Sequence, residues 1–239
     1  MKGNEDVKLH LNTGLNFIVI VFVLFGGVCA YAGYNENSKI ESATEVLQEI
    51  MEVPETSIPV SLLKNAYGVA VIPGVVKAGF IIGGRGGRGI LVVRTPDKTW
   101  TNPTFVTIAG ASVGFQVGAQ STDVILVFKS RKSIDGIIKG KFTLGADASI
   151  AAGPVGRQAG ASTDIQFQAE ILSYSRSRGI FAGVSLEGSA LQIDNEYNEG
   201  FYGESGITAD RIFSDQGLKA PAVAEKFRRV LASHSLIEK

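Results

Sequence analysis

The sequence predicts an α+β domain: a strongly curved or closed, barrel-like antiparallel sheet with helices at the N- and C-termini. Short apolar runs bounded by Gly, Pro or Asp follow one another through the middle of the chain, as is typical of antiparallel strands. Helical spacing of apolar residues is found mainly on the two flanks. Glycine is frequent, with 29 of 239 residues, as expected where a sheet bends tightly.

The first 32 residues are predicted to be a signal peptide or a membrane anchor. Leu15 to Phe25 form an apolar run of eleven residues with one asparagine, and small residues follow as far as Ala32. This is the pattern of a signal peptide that is cut after Ala32. Two alternatives stay open, namely retention as an anchor and acylation at Cys29. Each alternative predicts an exported protein, periplasmic or membrane-associated in the cell envelope, with residues 33–239 as its folded part.

The region before the sheet is predicted to be helical. Residues 38–51 carry apolar side chains at helical spacing with glutamates on the opposite face. Ser57 is interpreted as the N-cap of a second helix with Pro59 in its first turn. From 68 to 128, five apolar runs predict strands, and the glycine-rich segment 83–89 is interpreted as a hairpin turn.

The second half of the chain continues the sheet and then becomes helical. Residues 130–139 predict a short helix with three isoleucines on one face. Three further strand regions follow, at 142–150, 164–174 and 179–191. The last 45 or so residues are predicted to be helical, with a helix that starts near Pro221. No linker divides residues 38–232, so a single domain is predicted.

A short motif occurs twice in the chain. Residues 113–123 and 155–164 share V-G-x-Q-x-G-A followed by S-T-D. One reading is chance similarity between strands rich in Gly and Ala; the other is a repeated strand–turn–strand unit. Two copies are too few for a solenoid, so the second reading favours a curved sheet built from two related halves.

Several chemical functions have little support in the sequence. Gly84, Gly86 and Gly89 form a G-x-G-x-x-G motif, but a β-branched strand follows instead of the helix that a dinucleotide site needs. No cofactor is therefore predicted. One cysteine and two histidines argue against a metal site. Asp123 and Asp164 are interpreted as turn residues rather than a catalytic pair, so no catalytic residue and no enzyme is predicted.

The charges cancel overall but are segregated along the chain. There are 23 basic and 23 acidic residues. Six of the seven charged residues from 64 to 98 are basic, as are five of six from 129 to 141, whereas 187–215 holds seven acids and one base. No nucleic-acid partner is expected, because such proteins carry a basic excess. A basic surface beside apolar residues is typical of binding to anionic membranes; the alternative is ordinary solvated charge.

Four basic residues are predicted to bind a lipid head group: Lys64, Lys77, Arg85 and Arg88. The two arginines lie in the glycine-rich segment, interpreted as a flexible tip, and the two lysines are near it in sequence. Arginine suits phosphate because its planar guanidinium matches the spacing of phosphate oxygens. Membrane phospholipids are the expected partners, and an additional protein partner is left open.

Several short segments within residues 40–212 occur in the same order as in a known domain family. They are Ile58–Pro59 with 63–72, Lys77–Phe80, Gly84–Gly89, Trp100 with Pro103, Ala109–Ala111, Thr122–Asp123, Gly153–Arg157, Tyr174–Ser189 and Phe201–Gly203. Together they resemble the SYLF domain, also called the Ysc84 actin-binding domain. The longest and most specific stretch is SRSRGIFAGVSLEGS at 175–189.

The resemblance implies a non-enzymatic binding module. Eukaryotic SYLF proteins bind membrane phosphoinositides and some bundle actin filaments, while bacterial relatives are exported proteins or lipoproteins presumed to bind lipid. Because an exported protein would meet neither actin nor phosphoinositides, the expectation here is an envelope protein that binds anionic phospholipid. The alternative is a structural or protein-interaction domain of the envelope.

Overall fold

Two long strands that pair along almost their whole length form the centre of the fold. The structure is a computed structural model. The structure describes residues 36–55, 57–156, 166, 168–177, 180–181, 186–214 and 217–235. The predicted export segment and the second copy of the repeated motif, apart from its first two residues, lie outside these ranges. Within them, no helix is both long enough and apolar enough to cross a membrane.

The elements follow the predicted order of helices, sheet and helices. The helices are α1 (Glu36–Glu52), α2 (Val60–Asn65), α3 (Arg131–Ile138), α4 (Asn195–Tyr202), α5 (Ala209–Ser214) and α6 (Ala222–Ser235). The strands are β1 (Gly68–Val93), β2 (Thr104–Phe128), β3 (Phe142–Thr143), β4 (Ile150–Ala152), β5 (Ile171–Ser177), β6 (Ile180–Phe181) and β7 (Ala190–Ile193).

The β1–β2 hairpin bends so strongly that β1 returns to lie against itself. Its register runs from Gly68 opposite Phe128 to Leu91 opposite Thr104, with irregularities after Ile72 and Gly79. At the two ends of β1, the Arg94 amide donates to the Tyr67 carbonyl at 2.9 Å. The halves of β1, 68–79 and 81–93, therefore run side by side, and the strand turns back at the irregularity between Gly79 and Ile81, which we call the curled end of the hairpin.

The sheet is strongly curved and open. The second edge of β2 pairs with β7 near its start and with β5 near its end. β3 then adds to β7, β4 adds to β5, and β6 pairs with β5. All named pairs are antiparallel except β4 with β5. The bent β1 and β2 each contribute two segments, so eight strand segments lie across the curl between the free edges at β3 and β4.

Both faces of the sheet are covered, which explains why its strands are continuously apolar. One core joins α1 and α6 to alternate residues of β1 and β2, such as Val69, Val71 and Ile125. The other joins α3 and the short strands to the intervening residues, such as Ile72 and Leu126. A strand buried on both faces loses the alternation of polar and apolar residues that marks a sheet with one wet face.

The terminal helices bury the predicted apolar faces. In α1, Ile40, Leu47 and Ile50 are fully buried, and Glu41 and Glu45 are exposed. In α6, Phe227 and Leu231 are buried beneath the same sheet face. The helix predicted at 130–139 is α3, with Ile134 and Ile137 buried. Apolar spacing alone located these helices because each packs one face on the sheet.

Several local predictions are wrong. The strand predicted over 164–174 is helical at residues 166 and 168 and becomes a strand only from Ile171, as β5. The strand predicted over 179–191 is interrupted by a turn at 187–188 before β7. Residue 57 is not a helix cap: α2 begins at Val60 after Pro59, and the Ser57 hydroxyl donates to the Pro54 carbonyl. Segment 83–89 is not a turn, because it pairs with β2 throughout. The strand predicted over 142–150 is reduced to β3 and the first residue of β4, with a turn between them that the left-handed Gly145 (φ 86°) accommodates.

Tyr174 on β5 gives the fold a testable response to alkaline pH. Its side chain is buried, and its hydroxyl has no hydrogen-bond partner among the described residues. Burial raises the pKa of Tyr174 above its ordinary range. The unfolded chain releases this proton near pH 10 while the folded chain retains it, so the free energy of unfolding falls as pH rises above that value.

We expect wild type to lose about 1 kcal/mol more stability than Tyr174→Phe between pH 8 and pH 11. Urea unfolding at the two pH values measures the difference, and the other tyrosines cancel in the comparison because both proteins contain them. Equal losses in the two proteins would show that the hydroxyl is not desolvated in the folded state.

Candidate functional site

Opposite the curled end, the loop after β1 lies beside the residues that precede β1, and we call this end of the bent hairpin its open end. It carries a cavity whose charged lining residues are all basic. We call this cavity the basic pocket. Its volume is about 400 Å³. It is lined by Lys64, Asn65, Ala66, Tyr67, Arg94, Thr95, Pro96, Lys98 and Arg131. Four cations around one cavity, without a carboxylate in its lining, create a positive potential that attracts anions.

Three separate parts of the chain supply these cations. Lys64 lies in the last turn of α2, just before β1 begins. Arg94 and Lys98 belong to the loop that joins β1 to β2, and Arg131 is the first residue of α3. The Lys64, Lys98 and Arg131 side chains are exposed at the rim, whereas Arg94 is half-buried.

Arg94 is the fixed point of the pocket. Its Nε donates to the Ala66 carbonyl at 3.0 Å, one terminal nitrogen to Lys98 at 2.8 Å, and the other to Leu63 at 2.7 Å. Its guanidinium also lies 4.0 Å from the centre of the Trp100 ring. Burial lowers the pKa of Arg94, but an arginine keeps its charge at neutral pH. The bonds therefore hold a permanent charge between α2 and the loop.

The loop itself is held by a compact turn. The Lys98 amide donates to the Thr95 carbonyl at 3.0 Å, and the Thr95 and Thr99 hydroxyls are 2.8 Å apart. Lys98 has φ 68°, a left-handed conformation that is uncommon outside glycine. Trp100 is buried behind this turn, with its indole N–H 3.4 Å from the Ser235 hydroxyl, so its role is packing in the core.

Two exposed apolar side chains lie beside the basic pocket. Val60 precedes Lys64 by one helical turn, so the two share a face of α2. Tyr67 lines the pocket and is 47% exposed, and Val60 is 38% exposed. An amphipathic tyrosine beside lysines is a combination typical of surfaces that meet a membrane interface.

The structure separates the four predicted head-group residues. Lys77 pairs with Gln120 and Arg85 with Gly110, on the two adjacent halves of β1 near the curled end. Lys64 lies at the open end, before β1 begins at Gly68, so nine strand residues, or roughly 30 Å, separate it from Lys77. Lys77 and Arg85 lie near the curled end, and Arg88 lies three residues farther along β1, opposite Thr107. The expectation of a flexible tip is also wrong, since both arginines belong to β1.

Arg88 has a structural contact where β7 leads into α4. Its Nε lies 2.6 Å from an Asp194 carboxylate oxygen, and its guanidinium lies 3.5 Å from the centre of the Tyr197 ring. Asp194 also accepts a bond from the Tyr197 amide, as the N-cap of α4. The pKa of Lys39 is lowered by burial and by the Arg88 charge. Arg88 therefore joins the sheet to α4, and its charge lies close enough to Lys39 of α1 to disfavour a second cation there.

Asp123 is a structural residue, although the contact that holds it is long-range. One carboxylate oxygen accepts a bond from the Gly74 amide at 2.9 Å. Gly74 has φ 63° and lies at the first irregularity of β1. The other oxygen lies 3.8 Å from Arg176, which also pairs with Glu49 of α1. Asp123 thus caps a bulge between strands rather than a turn within its own segment.

Sequence reasoning did not single out Arg94, Lys98 and Arg131. The signal was present, because the first two belong to the basic run from 64 to 98 and the third to the run from 129 to 141. The sequence does not show how β1 pairs with β2. That pairing brings both ends of the run 64–98 and the start of the run 129–141 to the same end of the hairpin.

Comparison with known proteins gives consistent matches. The family model Ysc84, described as "Las17-binding protein actin regulator", matches residues 109–234, slightly more than half of the chain. "SH3 domain-containing YSC84-like protein 1" is 36% identical over 205 residues in Homo sapiens and 34% identical over 205 residues in Xenopus laevis. "Protein YSC84" of Saccharomyces cerevisiae is 37% identical over 206 residues.

These alignments cover more of this chain than of the relatives. Each covers 83% of this chain, but 59% of the human protein, 61% of the Xenopus protein and 43% of the yeast protein. The chain therefore spans about three fifths or less of the length of these relatives, and the likeness concerns a shared domain.

Proposed function

This chain belongs to the Ysc84 (SYLF) family, and we propose that its domain is a non-enzymatic module that binds the phosphate head groups of anionic phospholipids. The observation that carries the proposal is the basic pocket, where four cations from three parts of the chain surround one cavity.

The division of roles within the pocket suits a phosphate. Arg94 uses three of its five N–H groups on backbone carbonyls, and its permanent charge defines the floor. Lys64, Lys98 and Arg131 at the rim supply mobile donors that adapt to a head group. Arg131 also lies 3.3 Å from Asp135 one turn along α3, in an exposed pair that a phosphate can replace at small cost.

The surroundings of the pocket suit a membrane better than a soluble anion. Val60 and Tyr67 extend into solvent beside Lys64. In the proposed bound state these two side chains enter the interface between head groups and acyl chains, and the lysines remain at the level of the phosphates. Shallow insertion adds hydrophobic affinity to an attraction that is otherwise electrostatic and weakened by salt.

The proposal predicts binding to anionic vesicles that depends on the open end of the hairpin. We expect the double variant Lys64→Gln/Lys98→Gln to bind phosphatidylglycerol-containing vesicles about tenfold more weakly than wild type, because each lysine contributes to attraction at the surface. Co-sedimentation at low and at physiological salt measures the loss, and neutral phosphatidylcholine vesicles provide the lipid control.

Two charge-matched variants make the test specific. Lys139→Gln/Lys141→Gln removes two exposed lysines beyond α3, and Lys77→Gln/Arg85→Gln removes two charges near the curled end. We expect both to bind within about twofold of wild type. Salt-insensitive binding, or a loss confined to Lys77→Gln/Arg85→Gln, would contradict the basic pocket as the head-group site. The second result would instead favour the curled-end residues predicted from sequence.

A protein-interaction role is the second candidate, favoured by the family description as a Las17-binding actin regulator. In this reading the domain binds a protein, with or without a membrane. Pelleting of the full chain with actin filaments, in the absence of lipid, separates the two roles. Saturable co-pelleting together with no vesicle binding would support this second role and contradict the first.

We further propose that the protein is exported. The proposal depends on the apolar run and the small residues before Ala32. Intact-mass measurement of the protein from its own cells should give the mass of residues 33–239. A full-length mass would indicate a retained anchor, and a mass increased by acyl chains at an N-terminal Cys29 would indicate a lipoprotein.

A further inference from the structure

A second, mainly apolar cavity adjoins the basic pocket. Its volume is about 270 Å³, and Val93, Pro96, Ile134, Ile138 and Phe213 provide its apolar lining. These residues come from the end of β1, the following loop, α3 and α5. Val93 and Ile134 are buried at its floor, whereas Ile138 and Phe213 are half-buried. We call it the apolar pocket.

The two pockets share one wall. Arg94, Thr95, Pro96 and Arg131 line both of them. The two arginines therefore lie at the boundary between a cation-lined space and an apolar one. Asp210 is the one carboxylate in the lining of the apolar pocket. The lining changes from mainly charged to mainly apolar across this shared wall, so a ligand that fills both pockets needs a charged end and an apolar end.

We propose that the two pockets together hold one single-chain anionic amphiphile, with its phosphate among Lys64, Lys98 and Arg131 and its hydrocarbon chain in the apolar pocket. This inference rests on the proposed function, because it places the same phosphate in the same basic pocket. It adds that one chain leaves the bilayer and enters the protein. The combined space matches sites for small molecules, which occupy roughly 300–1,000 Å³.

Charge and geometry favour this occupant over a peptide. The phosphate cannot follow its hydrocarbon chain into the apolar pocket, because a buried anion without a partner is strongly disfavoured. Arg94, which is held in place at the boundary, supplies the positive charge that keeps the phosphate there. A hydrocarbon chain needs no hydrogen-bond partner along the five apolar lining residues, whereas each amide group of a peptide would need one among the polar residues at the edges of the pocket.

The test titrates three small probes into the full chain by calorimetry, namely n-octyl phosphate below its micelle concentration, inorganic phosphate and uncharged octyl glucoside. Each buried methylene increases affinity by about fourfold, so even a partly buried chain gives a clear difference. We expect octyl phosphate to bind at least tenfold more tightly than either of the other probes.

Variants then assign the chain to the apolar pocket. Ile138→Phe fills that pocket and should bring octyl phosphate to within about twofold of inorganic phosphate. Ser214→Leu narrows the pocket from α5 at an exposed position and provides a second test if Ile138→Phe destabilises the fold. Ile150→Phe is the matched control, because Ile150 packs on the same core but does not line the pocket.

The possible failures are distinguishable. Equal affinity for octyl phosphate and inorganic phosphate, or an octyl preference that survives both pocket variants, overturns the inference and leaves the head-group site standing. Equal binding of octyl glucoside and octyl phosphate also overturns it, because the charge would then be irrelevant. Absence of binding by all three probes and by anionic vesicles overturns the proposed function itself.

Discussion

Replacing Gly89 by alanine is expected to cost about 3 kcal/mol of stability, because there is no space for one added carbon. A Cβ at this position would lie 2.1 Å from the Val71 carbonyl oxygen and 2.6 Å from the Ile72 Cα. Both atoms are backbone of the opposite half of β1, so no side-chain rotation relieves the contact. The two halves of the strand would have to separate, which would disturb both cores.

The same strand offers a matched control in Gly86→Ala. A Cβ there would have the Ile108 carbonyl oxygen as its nearest neighbour, at 3.8 Å, which is ordinary van der Waals contact. We expect this variant to lie within about 1 kcal/mol of wild type, with a small gain from reduced unfolded-chain entropy. Urea unfolding followed by Trp100 fluorescence compares them, and equal midpoints for the two variants would disprove the close approach at Gly89.

Phe105→Ala is expected to lose about 3–5 kcal/mol, the usual cost of deleting a buried aromatic ring. Phe105 is fully buried, with the Tyr197 and Phe201 rings edge-on at 5.5 and 5.4 Å between centroids. Its amide donates a hydrogen bond to the buried Asn198 side-chain oxygen at 2.8 Å. The ring is thus the main packing contact between β2 and α4.

Two comparisons make the Phe105 result interpretable. Phe105→Leu keeps much of the volume and should cost less than half as much, since cavity size sets the penalty. Tyr67→Ala removes a ring of similar size from an exposed position and should cost less than about 1 kcal/mol. If Phe105→Ala were no more destabilising than Tyr67→Ala, the packing of α4 on β2 described here would be wrong.

Much of the fold was predictable because its helices are amphipathic. Burial of Ile40, Leu47 and Ile50 of α1, and of Phe227 and Leu231 of α6, follows from apolar spacing alone. The curvature of the sheet was anticipated from the frequency of glycine. The predictions at Ser57 and at segment 83–89 failed for a shared reason. They used local turn and cap preferences, whereas long-range strand pairing and close packing determine the structure there.

The candidate site was less predictable than the fold. Of the four predicted head-group residues, Lys64 lies in the basic pocket together with three other basic residues. Arg88 instead pairs with Asp194, which is 106 residues away in the sequence. Arg94 was one of several basic residues in its run, and its three carbonyl partners could not be inferred from spacing. A charge in the sequence does not reveal whether an acid elsewhere in the chain will neutralise it.

By itself, the sequence determined the family, the α+β class, the identity of the main helices and the segregation of charge, because each depends on residue type and short-range spacing. The tertiary structure decided which glycines are needed for close backbone contact, which basic residues form structural ion pairs, and which of them meet at one cavity. The physical reason is that these properties depend on distances between residues far apart in the chain. Such distances are set only when β1 bends back on itself beside β2.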